Sequence, residues 1–160
     1  MIIIAKNDIA HIGLSEQLKN HKVTKTYLAL VRGIIKENQA TIDMPIGRSS
    51  KDRKKMAVSR EGKNAVTHFK VLERFEGYTL IELQIETGRT HQIRVHMSHI
   101  GYPVVGDMVY SNGKNPFHVE GQMLHSYKLN FHHPITKEML DLQAPLPIYF
   151  QKVLEILRKK

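Results

Sequence analysis

The 160-residue sequence contains no cysteine. That excludes a disulfide framework, a thiolate metal site and a cysteine nucleophile, and it fits a reducing, cytoplasmic setting. Long apolar runs are lacking too. The longest, residues 1–5 and 27–31, fall far below the roughly 18–20 residues of a membrane-spanning helix, so no membrane partner is expected. The first of these runs also lacks the positive leader and cleavage site of a signal peptide. No phosphate loop, dinucleotide fingerprint, HExxH pattern or serine nucleophile motif occurs, which argues against ATP, NAD and zinc-hydrolase chemistry. Repeats, linkers and low-complexity tracts are missing as well, so residues 1–160 read as a single domain.

Basic charge is what the chain has in excess. Lysine plus arginine number 24 against 15 acids, a formal charge of +9. Such a balance favours a polyanionic partner, nucleic acid above all. Five of the cations fall in one run with turn-forming neighbours: Arg48, Lys51, Arg53, Lys54 and Lys55. The run reads as a loop, mobile until an anion orders it, with a solvated charged loop as the plainer alternative. Ten histidines invite a metal. However, His91 and His96 are five apart, and His96 and His99 have no carboxylate at ligand spacing, so neither metal nor organic cofactor is expected.

Hydropathy and turn signals give an α+β fold, six or seven strands in an antiparallel or mixed sheet with three flanking helices. Residues 1–5 read as a β-branched, buried strand. Asn7 or Asp8 caps a first helix, with Ile9, Ile12 and Leu18 on its inner side. Residues 25–32 read as a central strand that sends Lys25 and Tyr27 to one face. Residues 67–76 and 78–86 form a hairpin about Glu76-Gly77, residues 123–131 and 138–142 are strands, and a helix closes the chain over residues 146–160. A further helix follows Gly88, with Thr90 as its cap and Ile93, Met97 and Ile100 as its buried stripe. Arg94 falls at the edge of that stripe, beside His91 and Ser98.

Cations that can hold phosphate, with Tyr27 able to stack a base, suit a single-stranded or flipped nucleotide. The chain resembles the pseudouridine synthases of the large-subunit ribosomal RNA and transfer RNA class. The resemblance rests on Gly88-Arg-Thr-His-Gln-Ile-Arg-Val-His96, Lys25-Thr-Tyr27, Pro45-Ile-Gly-Arg48, Gly101-Tyr-Pro-Val-Val-Gly-Asp107 and Leu124-His-Ser126, in the same order and over essentially the whole length. It implies isomerisation of uridine in RNA without metal or organic cofactor. It further implies that Tyr27 stacks on the uracil and is a candidate for C5 deprotonation. Arg94 would salt-bridge the catalytic aspartate, and Leu124 would pack in the base pocket. Arg89, His91 and Gln92 would shape the site and its RNA contacts, with Lys25 and the 48–55 cations on the RNA.

The family nucleophile is an aspartate in a His-Arg-Leu-Asp motif upstream of the strand matching residues 2–6. None of Asp8, Asp43, Asp52, Asp107 and Asp141 has that context. The expectation is therefore the C-terminal portion of a catalytic domain, without the nucleophile segment or any N-terminal RNA-binding module, and inactive alone. A non-catalytic RNA-binding protein on the same scaffold is the alternative, and a basic ribosome-associated protein without a base pocket a third reading. An unpaired edge at residues 2–4 would pair with another chain, a homodimer being one way to cover it.

Overall fold

The computed structural model describes residues 1–112 and 115–159. The expected central strand is β1, Thr24–Arg32, whose last four residues before Arg32 are almost wholly buried. It follows α1, Asp8–Lys19, and precedes β2, Gln39–Asp43, and a short ribbon of β3, Ile46–Arg48, and β4, Met56–Val58. Next come β5, Val66–Phe75, β6, Tyr78–Ile85, and α2, Gln92–His99. The chain closes with β7, Leu124–His132, β8, Met139–Gln143, and α3, Ile148–Arg158. Six strands form one sheet in the order β2-β5-β6-β1-β7-β8, paired antiparallel throughout, and β3 pairs with β4 apart from it. The α+β expectation holds, with β2, β3 and β4 as strands that the hydropathy pattern did not single out. Only Ile42 of β2 is buried, so an edge strand this polar carries no alternation to read.

Residues 1–5 are not a strand. Ile3 and Ala5 pack onto a small cluster of Leu14, Val23, Leu129 and Phe131, while Ile2 and Ile4 are 82% and 76% exposed. β-branching gives a residue a preference for a pleated surface, but a ladder also needs a neighbouring strand. A homodimer through this segment would have to rest on its side chains, since no paired edge exists there. The inner side of α1 is corrected as well. Leu14 faces inward, whereas Ile9, Ile12 and Leu18 are exposed. The cap is as expected, Asn7 Oδ1 accepting the Ala10 N–H at 2.9 Å. Gln17 fixes the helix to β7 by a two-way bond with the His132 backbone, donating at 2.8 Å and accepting at 2.9 Å.

The main core lies between the sheet and its helices. Leu30, Ile81, Leu83, Met97, Val104, Met123 and Phe150 are fully buried in it. Of α3, Phe150, Val153, Leu154 and Leu157 face inward as the 3.6-residue period predicts. The expected start of that helix at 146 shifts to 148, and Lys160 lies outside the described residues, as do Gly113 and Lys114 of the polar excursion at 112–120.

Candidate nucleotide pocket and nucleic-acid interface

Strand register decides which side chains share a face. Tyr27 lies opposite Leu83 on β6 and Ser126 on β7, and Leu83 lies opposite Phe69 on β5. Leu124, opposite Ala29, is therefore a diagonal neighbour of Tyr27 on the same face. Thr67, two residues before Phe69, also points to this face, where Gln92 and His96 of α2 bond to it. The helix, the tyrosine and the leucine thus occupy one side of the sheet. Tyr27 and Leu124 are both half-buried against the main core. A β-bulge in β7 accompanies the register shift between Thr26 and Tyr27, and bulges commonly re-aim side chains beside a site.

Lys25 precedes Tyr27 on that face. A Cβ placed on Gly88 would stand 3.8 Å from its Nζ, so the lysine reaches the turn before α2. Burial lowers the Lys25 pKa and raises that of the Tyr27 phenol. The phenol consequently stays protonated at neutral pH, which suits stacking better than proton abstraction.

The turn into α2 is built differently from the expectation. Thr90 is not the cap; His91 is, in the left-handed region at φ 55° and without a side-chain capping bond. Gln92 does the organising from a buried position. Its Oε1 accepts from the Thr87 hydroxyl at 2.8 Å and from the Arg89 N–H at 3.0 Å. Its Nε2 donates to the Val66 carbonyl at 2.9 Å and to Thr67 Oγ1 at 3.0 Å. One helical turn on, His96 Nδ1 meets Thr67 Oγ1 and Nε2 meets the Met44 carbonyl, each at 2.9 Å. A carbonyl only accepts, so Nε2 carries the proton, Nδ1 accepts from Thr67, and Thr67 accepts from Gln92. Burial lowers the His96 pKa, in keeping with a neutral ring. Gln92 and His96 are therefore satisfied core groups that set the helix in place.

Arg94 has a resident carboxylate, which corrects the reading that its partner is absent. Its Nε donates to Asp107 Oδ2 at 2.7 Å and its Nη2 to Oδ1 at 2.8 Å. Asp107 also accepts from the Val109 and Tyr110 backbone N–H groups at 2.9 and 3.0 Å. Its side chain is 0% exposed and that of Arg94 only 11%. Burial alone would raise the Asp107 pKa, but the Arg94 bond, followed by the two backbone bonds, outweighs it and the net shift is downward. The Tyr110 ring lies beneath the guanidinium, 5.0 Å from Cζ to centroid. Its hydroxyl meets His91 Nδ1 at 3.0 Å and accepts the Met56 N–H at 3.1 Å. Burial and then the Arg94 charge lower the His91 pKa. The loop bearing Asp107 closes through Gly106, at φ 75°, where a Cβ would fall 2.2 Å from the Gly121 carbonyl oxygen; no other residue type fits there. Asp107 and Tyr110 are the site residues that motif reading passed over. Their signal was the edge position of Arg94, since a half-covered guanidinium requires an anion nearby.

The remaining cations behave otherwise. Arg89 Nε donates to the Asn64 carbonyl at 2.9 Å, and Arg48 Nη1 to the Arg53 carbonyl at 3.0 Å. The loop at 49–55 folds on itself. Ser49 Oγ accepts the N–H groups of Lys51 and Asp52, both at 3.2 Å, and Asp52 accepts that of Lys54 at 3.0 Å. Lys55 and Asp52 form a loose pair at 3.9 Å, while Lys51, Lys54 and Arg53 extend from the loop surface.

Comparison with known proteins gives the family of the chain. A family profile described as RNA pseudouridylate synthase matches residues 1–99. The chain belongs to this family. It is 53% identical over 159 residues to the uncharacterized RNA pseudouridine synthase YlyB of Bacillus subtilis, covering 99% of this chain and 52% of that protein. It is 43% identical over 171 residues to ribosomal large subunit pseudouridine synthase D of Pseudomonas aeruginosa, covering 99% and 53%. The chain thus spans about half the length of these curated relatives. Among solved structures, human RNA pseudouridylate synthase domain containing 1 superposes with a TM-score of 0.77 at 32% identity, covering 98% of this chain and 74% of that one.

Proposed function

We propose that this chain forms the uridine-binding wall and an RNA grip of an RNA pseudouridine synthase acting on ribosomal or transfer RNA, and that it does not isomerise uridine alone. The observation that carries the reading is the shared face of Tyr27, Leu124 and α2, with Lys25 bridging to the Gly88 turn. The protonated Tyr27 ring stacks the uracil, Leu124 packs beside it, and Lys25 and Arg89 meet the RNA backbone. In the reaction the N1–C1′ bond breaks, the uracil turns, C5 bonds to C1′, and the C5 proton is lost as N1 gains one.

The nucleophile has to come from an aspartate with an open carboxylate. Asp107 does not qualify, because its oxygens accept four hydrogen bonds and no solvent reaches them. Asp8 lies in the first turn of α1, Asp43 ends β2, Asp52 caps its own loop and Asp141 lies in β8. Arg94 acts in this reading as a positioning residue, holding the Asp107 loop against α2. The test is a pseudouridine assay on uridine-containing ribosomal and transfer RNA. The expected result is salt-sensitive RNA binding without turnover by these 160 residues, and turnover once a segment carrying His-Arg-Leu-Asp is supplied. Turnover by the chain alone would overturn the missing-nucleophile reading. Binding that no such segment converts to turnover would favour the non-catalytic RNA-binding protein.

A further inference from the structure

Between the β3–β4 ribbon and the Gly88 turn lies a cavity of about 420 Å³. Arg48, Lys63 and Arg89 line it, with one acid, Glu61. Its walls come from four separate stretches of backbone, and the tightest join is at Gly62. A Cβ there would fall 2.4 Å from the Ile46 carbonyl carbon and 2.7 Å from the Gly47 nitrogen. Only glycine allows these two backbones so close, and the approach fixes Lys63, whose N–H and C=O both bond to Ile46 at 2.9 Å. The lysine is therefore delivered to the cavity by main-chain structure although its side chain is exposed.

Both arginines are pre-aimed. Each spends one N–H on a neutral carbonyl, Arg89 on Asn64 and Arg48 on Arg53. That holds the guanidinium in place without cancelling its charge, and leaves the rest of its fork for a ligand. Three cations face a single carboxylate, so the cavity is electropositive. Gly88 joins it to the nucleotide face, since it lines the cavity and lies against Lys25.

The geometry points to a phosphate seat: Arg48, Lys63 and Arg89 together hold one phosphate group, that of the RNA strand next to the nucleotide on Tyr27. The owner of the phosphate rests on the RNA reading above; the seat itself does not. Two planar forks and an ammonium around one anion match the tetrahedral oxygens of a phosphodiester.

Two titrations of the 160-residue chain followed by nuclear magnetic resonance test this, one with inorganic phosphate and one with a short uridine oligonucleotide. Both are expected to shift the amide signals of Gly47, Gly62 and Gly88 and the Nε signals of Arg48 and Arg89. Arg48→Gln, Lys63→Gln and Arg89→Gln should each weaken oligonucleotide binding about threefold to tenfold. Each should also reduce the salt slope by about 0.7, the share of one phosphate on a single strand. Because all three serve one phosphate, pairs of these variants should lose no further slope, whereas Lys51→Gln and Lys54→Gln should cost less affinity. Oligonucleotide binding with unchanged slopes, or with slope losses that add, would overturn the seat and leave the RNA reading standing. Phosphate shifts at the cavity without oligonucleotide binding would keep the seat and remove the RNA reading. Shifts from neither ligand would overturn the seat. Unchanged amide spectra of the free variants guard against misfolding as the cause.

Discussion

Arg89 and Arg94 stand five residues apart and differ in almost everything that matters physically. Arg94 is nearly enclosed, bound at two nitrogens by a buried carboxylate, and covered by the Tyr110 ring. Arg89 is half-exposed, anchored by one bond to a neutral carbonyl, and opens onto a cavity with two other cations. A buried, fully partnered guanidinium holds structure together, because releasing it would strand a charge in a poor solvent. A half-exposed one with an uncancelled charge is placed for a ligand. Within one motif, then, the more enclosed arginine fastens the fold and the more exposed one keeps its charge uncancelled at the cavity.

The largest effect should come from breaking the enclosed pair. Asp107→Asn leaves Arg94 buried without its counter-charge and should destabilise the chain by about 3–5 kcal/mol; denaturant midpoints measure it. A loss below about 1 kcal/mol would mean that water reaches the pair and that the contrast is overstated. Arg89→Gln should change the same midpoint by less than about 0.5 kcal/mol while weakening RNA binding. If both variants cost stability alike, the division of roles fails.

An intermediate effect should appear with pH. The His96 pKa is lowered in the fold, so the folded state favours the neutral ring. Its contribution is complete above the unfolded histidine value of about 6.5 and is lost as pH falls from there through the folded value. The lowered Asp107 pKa acts further down, its contribution being complete above about 3.9 and lost as pH falls through the folded value. Stability should therefore decline in two stages on acidification. His96→Gln should shrink the first stage to the share of His91, whose pKa is lowered as well, and leave the second; a first stage unchanged by this substitution would mean that His96 does not carry it.

The smallest effect is expected at Arg158, whose bond to Glu73 at 2.8 Å lies at the surface with 51% and 34% of the two side chains exposed. Arg158→Gln should cost no more than about 1 kcal/mol, set beside Asp107→Asn in the same assay. A larger loss would show that ion-pair geometry outweighs burial here.

How far the sequence carried varied with the range of the interaction concerned. β1, the hairpin about Gly77 and the Ile93–Met97 stripe are set by neighbours a few residues away, and alternation or helical period marked them. Residues 1–5 have the composition of a strand, but pairing depends on a second segment, which composition cannot report. On α1, the Ile9, Ile12 and Leu18 side reads as the inner one, yet the sheet offers its small apolar cluster to Leu14. At the site, Tyr27 and Leu124 came from motif resemblance, and their common face follows from register. Asp107 was visible as part of a glycine-rich loop. Its pairing with Arg94 depends on the path of a chain segment thirteen residues on, and no local pattern encodes that. Lys63 was missed because a single lysine in a polar stretch carries no period at all.

The line of hydrogen bonds from Gln92 through Thr67 and His96 to Met44 has one further consequence. It runs in a single direction, each group donating to the next and the last only accepting. Turning α2 by one residue would swing every side chain about 100° around the axis and leave both Thr67 and the Met44 carbonyl without their donors. The helix therefore has one permitted azimuth. It works as an indexed shaft, with a stop at either end of a single turn, and the bearing of Arg89 toward the cavity is set by buried groups on its far side.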